Sequence, residues 1–387
     1  MILKPNILIF ICDHLTQRAA YGNKFADTPN TDRLRSEGIS ISNSYCTTPL
    51  CCPSRASFWT GKYPHETGVL SNGSQCEHPK VSKDVPTIGD TFSKAGYEAV
   101  HFGKKHDRGA LRGFKCNIGG VKKVKSPSAF PVGNNTFIDG NTTDKCIKFL
   151  RKKHKKPFIA IADLHNPHNI CQYVGENKGV HKRIPLPEGL ELPPLPDNFE
   201  IEDLEKRPLP VQYICCSHRR LSHASSWTDD DYRHYIAAYY YYTNLVDTQI
   251  GKILDALHST SAAKNTLVIL MADHGDGMGS HRMVTKQVSF YEETNRIPLI
   301  FSGDLVSEKN KMLNEPLVTL LDLFPTLCDF AEIEIPSGLH GKSLSPLIKG
   351  EKMNETHEFV VGEWFSEWCF TISPGRMIRS KKFKYIK

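Results

Sequence analysis

The sequence lacks an apolar run long enough to cross a bilayer, a CxxC pair and a marked excess of one charge, and each absence closes a class of explanation. Its first apolar run, Ile7 to Cys12, is too short for the core of a secretory leader, and no small-residue cleavage site follows it. No membrane association is therefore expected, and the chain as written reads as cytoplasmic or as a mature form already trimmed. Twelve cysteines without CxxC or small-domain disulfide spacing argue against a zinc ribbon, a thioredoxin-like motif and a disulfide scaffold, so most are expected reduced and buried. Lys and Arg exceed Asp and Glu by only 49 to 42. The clusters Lys122-Lys123-Lys125 and Arg151-Lys152-Lys153-His154-Lys155-Lys156 lack interleaved aromatics, so a solvated basic face is expected and no nucleic-acid interface. A mildly positive surface also attracts polyanionic substrates.

What is present is a sequence of buried-strand patterns, each ending in a chemically capable residue. Asn6 to Cys12 is continuously apolar, as for a strand covered on both faces of a parallel sheet, and it ends at Asp13-His14. Ile39 to Tyr45 alternates like a strand. Thr87 to Ala95 reads as a helix stopped by Gly96, and Tyr97 to Phe102 as a strand ending in Gly103-Lys104-Lys105-His106. A helix from Thr143 to Lys152 precedes the strand Pro157 to Ala162, which runs into Asp163-Leu164-His165-Asn166-Pro167-His168. Thr228-Asp229-Asp230-Asp231 starts a long helix through about His258, followed by the strand Thr266 to Met271 and Asp273-His274-Gly275-Asp276. Ligand sites of open α/β sheets lie beyond the carboxyl ends of strands, so these endings are placed for one. Taken singly, Asp13 also suits a helix cap and Gly103 to His106 a surface turn. Gly119 to Asn141 reads as a long excursion and the proline-rich Ile184 to Pro210 as an ordered loop or lid. Pro298 to Phe301 reads as a strand and Val318 to Phe330 as a helix. From about Ser345 short strands appear, Phe359 to Gly362 and Arg376 to Ile386, dividing the chain into a main domain, 1–344, and the start of a small antiparallel subdomain, 345–387.

The most informative stretch is Cys51-Cys52-Pro53-Ser54-Arg55-Ala56-Ser57-Phe58-Trp59-Thr60-Gly61-Lys62. It reads as a loop entering a helix, with Pro53 at the first helical position and Gly61 at the close. Cys51 then lies at a helix N-terminus, where unpaired N–H groups favour negative charge, and Arg55, four residues on, shares its face.

At these residues the chain resembles the type I, formylglycine-dependent sulfatases, whose signature is Cys-x-Pro-Ser-Arg followed by Thr-Gly-Arg. Lys62 stands where that family has Arg, and Trp59 where it usually has Leu. The Thr28 to Leu34 helix start, Gly103-Lys104-x-His106, the Pro167-His168 segment, and Asp273-His274 with Lys286 downstream also resemble the family, in its order. The resemblance implies an alkaline-phosphatase-like α/β fold, a large mixed sheet flanked by helices, and hydrolysis of the sulfate esters of a sulfated carbohydrate. It implies that a maturation enzyme converts Cys51 to formylglycine. Asp13, Cys51, Asp273 and His274, with His14 as a further candidate, would hold a divalent metal, calcium first, with manganese favoured by each His in place of oxygen. Arg55, Lys104, His168 and Lys286 would face the sulfate, His106 would take the proton that releases it, and His281 would join the substrate-binding set. A phosphonate or phosphate diester hydrolase of the same superfamily is the alternative enzyme. A glycan-binding protein with unmodified Cys51 is the alternative outside catalysis.

Overall fold

In this computed structural model the residues described are 4–73, 79–117, 137–176, 191–200, 204–209, 212, 223–286, 289–353, 357–366 and 373–387. In chain order the strands are β1 (Asn6–Cys12), β2 (Gly38–Ile41), β3 (Ser44–Tyr45), β4 (Glu98–Gly103), β5 (Lys115–Asn117), β6 (Phe158–Leu164) and β7 (Thr266–Met271). They continue with β8 (Leu299–Ser302), β9 (Lys311–Leu313), β10 (Val318–Thr319), β11 (Phe359–Ser366), β12 (Ser373–Ser380) and β13 (Lys384–Ile386). Eight of them form one mixed sheet in the order β5-β4-β6-β1-β7-β8-β2-β9. Strands β5, β4, β6, β1 and β7 are mutually parallel, whereas β8 runs antiparallel to β7 and β2.

The apolar runs explain the centre of this order. Ile7 to Cys12 have no solvent exposure, because β1 lies between β6 and β7 and has helices on both faces. On one side the Asp229–His258 helix packs against the helices Pro29–Ser36 and Phe137–Leu150. Its start is fixed by a reciprocal cap: Thr228 Oγ1 accepts from the Asp231 N–H, and the Asp231 carboxylate accepts from the Thr228 N–H at 2.8 Å. The helices Cys51–Thr60, Ile88–Lys94 and Leu323–Phe330 group together elsewhere on the sheet. Among the described residues no helix is long and apolar enough to cross a membrane.

Several boundaries differ from the sequence reading, each for a local reason. Ile39 to Tyr45 splits into β2 and β3, which joins β10 in a separate two-stranded sheet. Val318 to Phe330 is a strand, a 3₁₀ turn and then a helix, because the Asp322 carboxylate accepts the Thr319 N–H at 2.9 Å and starts the turn late. The helix expected from Thr143 begins at Phe137 and ends at Leu150. Strands β11, β12 and β13 form a three-stranded antiparallel sheet. Of the expected excursion, residues 119–136, and of the expected lid, residues 184–190, 201–203 and 210, lie outside the described residues.

Candidate active site

The carboxyl ends of β1, β4, β6 and β7 meet beside the first turn of the Cys51–Thr60 helix. Asp13 follows β1 directly, Asp163 is the penultimate residue of β6, and Asp273 lies two residues beyond β7. Lys104 follows Gly103, the last residue of β4, whose φ of +107° and close approach to the Asp163 carbonyl leave no room for a Cβ. Ser54 Oγ donates to the Asp273 carbonyl at 2.6 Å and ties the helix to the β7 end. The helix begins at Cys51, so Pro53 is its third residue, where its missing N–H is still one that would lack a helical partner. Gly61 closes it with φ +67°.

Arg55 is almost fully buried and its guanidinium serves three carboxylates. Nε donates to Asp273 Oδ2 at 2.8 Å, Nη1 to Asp163 Oδ2 at 2.6 Å and Nη2 to Asp13 Oδ2 at 3.0 Å. Each guanidinium nitrogen thus donates to a strand-end acid, whereas the sequence reading set Arg55 against the substrate anion. His101 Nε2 lies 3.1 Å from the same Asp163 oxygen. In the sequence Asp163 was read as part of a strand ending without a role of its own, and His101 was not singled out; an acid breaking the apolar run of β6 was the available signal.

Cys51 is the centre of the remaining cations. Its Sγ accepts from Lys286 Nζ at 2.8 Å, lies 3.1 Å from His274 Nε2 and 3.7 Å from Asp13 Oδ1, and is hydrogen-bonded by His106. Burial opposes ionisation, yet Lys286, Lys104 and His274 together hold the thiol well below its ordinary range. Cys52, one residue on, shows the opposite: burial, then the negative charge of Cys51 and Asp107, push it up to about 12. Lys104 Nζ pairs with Asp13, whose carboxyl stays well below its usual range because the Lys104 and Arg55 cations outweigh burial and Cys51. Lys286 Nζ also lies 2.8 Å from His168 Nε2. Burial and the Lys104 and Lys286 cations hold His168 well below the usual imidazole range, while Lys286 is raised by Cys51 despite burial. The ring is therefore neutral and the lysine charged near neutral pH.

One donor atom from each of Asp13, Cys51, Asp273 and His274 lies within 4.8 Å of every other, all four residues being fully buried. That set of two carboxylates, an imidazole and a Cys51 substituent suits one divalent cation. His14 belongs to a different group: its Nε2 lies 3.0 Å from Asp276 Oδ2, its Nδ1 lies 3.7 Å from Cys171 Sγ, and it clusters with His168 and Cys171. Burial disfavours its charged form, but Cys171 and Asp276 prevail and raise it to about 10. The His14 ring packs edge-on against His274, with 4.7 Å between ring centroids, but its two nitrogens face Asp276 and Cys171. His281 stacks on Tyr291 at 4.1 Å between ring centroids, with Asn198 beside it. No described contact joins His281 to Cys51.

The sulfatase family pattern matches residues 5–333. A Delta 4,5-hexuronate-2-O-sulfatase of Bacteroides thetaiotaomicron is 49% identical over 385 residues, covering 99% of this chain and 79% of its own. The arylsulfatase K of Homo sapiens is 26% identical, covering 99% of this chain and 74% of its own. The solved structure of a 2-O GAG sulfatase superposes with a TM-score of 0.92 at 49% identity, over 99% of this chain and 82% of that one. A phosphonate monoester hydrolase of Agrobacterium radiobacter shares the fold, with a TM-score of 0.80 at 20% identity over 99% of this chain and 87% of its own. By its sequence, its alkaline-phosphatase-like fold and its relatives, the chain belongs to the sulfatase family and is a hydrolase of sulfate esters.

Proposed function

We propose that this sulfatase removes the 2-O-sulfate from Δ4,5-unsaturated hexuronate at the end of sulfated glycan fragments. The observation that carries this reading is the 49% identity to a sulfatase of that specificity across 99% of the chain. We propose further that Cys51 is converted to formylglycine and that Asp13, Asp273, His274 and the modified residue hold a divalent cation, calcium in first place. When bound, the cation supplies Lewis acidity at the sulfate oxygens, and the hydrated aldehyde supplies one hydroxyl to attack sulfur and a second to expel sulfate.

The surrounding side chains then have separable tasks. Arg55 holds Asp13, Asp163 and Asp273 in register and sets its positive charge against them. Lys104 and Lys286 bring positive charge to a site with little water, where it neutralises the sulfate oxygens and the departing alkoxide. Lys286 carries the proton for the leaving alcohol, and neutral His168 accepts its hydrogen bond and aims the ammonium. His106, hydrogen-bonded to the Cys51 side chain, removes a proton from the second hydroxyl.

Protein produced with a formylglycine-generating enzyme should release sulfate from 2-O-sulfated unsaturated disaccharides. Their 6-O-sulfated counterparts, phosphate diesters and phosphonate monoesters should be turned over at least a hundredfold more slowly. Equal or faster turnover of the phosphorus esters would reassign the chemistry. Sulfate release from a different position only would reassign the substrate.

A further inference from the structure

We propose that His14, His168 and Cys171 form a second metal site, separate from the strand-end acids, that takes a soft divalent cation of the zinc class and inhibits the enzyme when filled. One potential ligand atom from each of the three lies within 4.8 Å of the others. Two imidazoles and a thiol are borderline-soft donors, which favour zinc over calcium. The Cys171 Sγ to His14 Nδ1 separation is 3.7 Å. In a tetrahedral zinc site with ordinary bond lengths, a sulfur and a nitrogen ligand lie about 3.6 Å apart.

The surroundings of His14 are those of a ligand held from behind. Its Nε2 faces Asp276 Oδ2 at 3.0 Å, and the other oxygen of Asp276 accepts hydrogen bonds from Tyr235 Oη and from the Met278 N–H at 2.7 Å. A carboxylate on the distal nitrogen fixes the ring and makes the proximal nitrogen a stronger donor. The backbone is spent on the same end. At φ +75° His14 occupies a region that costs a non-glycine residue free energy. Its N–H donates to Asp273 Oδ1 at 3.0 Å, and its carbonyl accepts from Tyr239 Oη at 2.6 Å. Both contacts hold the strained turn that delivers the ring to Cys171.

Occupancy and catalysis compete. The Lys286 ammonium lies 2.8 Å from His168 Nε2, so a dication on His168 opposes that charge and commits the ring that aims it. This second clause rests on the sulfatase reading; metal binding itself does not.

The test separates the two. Cobalt(II) titrated into the Cys51→Ala variant should give a near-ultraviolet thiolate-to-cobalt band saturating at one equivalent, and the band should vanish in Cys51→Ala/Cys171→Ser. No band in the first variant, or an undiminished band in the second, overturns the site. In the unsubstituted protein, zinc should slow iodoacetamide labelling of Cys171 at least tenfold by peptide mass spectrometry, and His14→Gln should remove that protection. Labelling indifferent to zinc overturns the site without relying on any variant that fails to fold. For the matured enzyme, Cys171→Ser should raise the zinc concentration for half-inhibition at least tenfold. Equal sensitivity overturns the competition with His168 while leaving the binding result standing.

Discussion

The parallel strands present cations at both ends, and the two ends behave as different materials. At the carboxyl ends Arg55 is buried and Lys104 and Lys286 are half-buried, and each is set against an acid or a thiol. At the amino end of β6, Arg151, Lys152, Lys153, Lys155 and Lys156 lie exposed in the turn after the Phe137–Leu150 helix. There His154 joins Glu98 at 3.2 Å and packs on Phe149 and Phe158, so the one half-buried member of the run serves packing. The residue types are alike; what differs is dielectric. In the interior a charge interacts strongly and must be paired, whereas on the surface water and salt screen it. Chemistry belongs to the end where the chain has enforced the pairing.

The sharpest way to break this comparison lies within the buried end, between two adjacent thiols. Cys51 is ringed by Lys286, His274 and His106, whereas the Cys52 N–H donates to Asn72 Oδ1 at 3.0 Å and its thiol is pushed up to about 12. Cys51→Ala should remove activity by about 10⁴-fold or more, the scale of losing a nucleophile. Cys52→Ala should keep most of it, at some cost in stability. Peptide mass spectrometry of matured protein should find the thiol-to-aldehyde conversion at position 51 alone. Conversion at 52 would invert the assignment.

Next in size come the two lysines. Lys104→Ala and Lys286→Ala should each cost about 2.7–4 kcal/mol in transition-state stabilisation, or roughly 10²–10³ in kcat, as for other preorganised electrostatic groups. Lys104→Ala also leaves an Asp13 oxygen with one cationic partner fewer. A near-normal kcat for both would return these residues to the status of surface-like charges.

Much of this division was legible in the sequence. Continuous apolar runs identified β1, β6 and β7, and the acids that follow β1 and β7 drew attention to Asp13 and Asp273, because an acid stands out where an apolar run stops. Arg55 was legible as a site residue but not in its role. Spacing put it on the face of Cys51, whereas its partner set depends on Asp13, Asp163 and Asp273 arriving from three strands far apart in sequence. The same non-local assembly hid Cys171, Asp276 and Tyr235. Their text looks like an ordinary helix cysteine, an acid after glycine and one tyrosine among several. His14 was read with Asp13 because the resembled family carries two acids there, whereas its ring nitrogens face Asp276 and Cys171.

A smaller effect concerns pH. Burial and the Lys104 charge lower His165 to about 4, against the ordinary value of 6.5. The unfolded chain therefore binds more protons than the folded one between those values, and the stability from the neutral ring is lost as pH falls through that window. At pH 5 the loss from this residue is about 2 kcal/mol. Asp139, raised to about 6 chiefly by burial, works in the opposite direction over the same range, so the parent protein shows only the balance. His165→Gln isolates the histidine. Urea unfolding at pH 7 and pH 5 should show a decline about 2 kcal/mol smaller in the variant than in the parent, and an identical decline would mean that the ring is protonated in the fold.

The smallest expected effect is the control on the whole comparison. Lys155→Ala and Lys156→Ala, singly and together, remove charge from an exposed turn at the far end of β6 from Asp163. Exposed substitutions of this kind change stability by no more than about 0.5 kcal/mol. Coulombic influence on Cys51 is screened beyond roughly 8–10 Å at moderate salt. kcat on a disaccharide should therefore stay unchanged, and KM should shift only slightly, and only at low ionic strength. The informative measurement is kcat/KM against salt for the double variant and the parent. Parallel lines would confirm that the basic run is a solvated face. A steeper salt dependence in the parent, persisting at physiological ionic strength, would mean that these lysines reach the substrate, and the two ends of the sheet would then share one function.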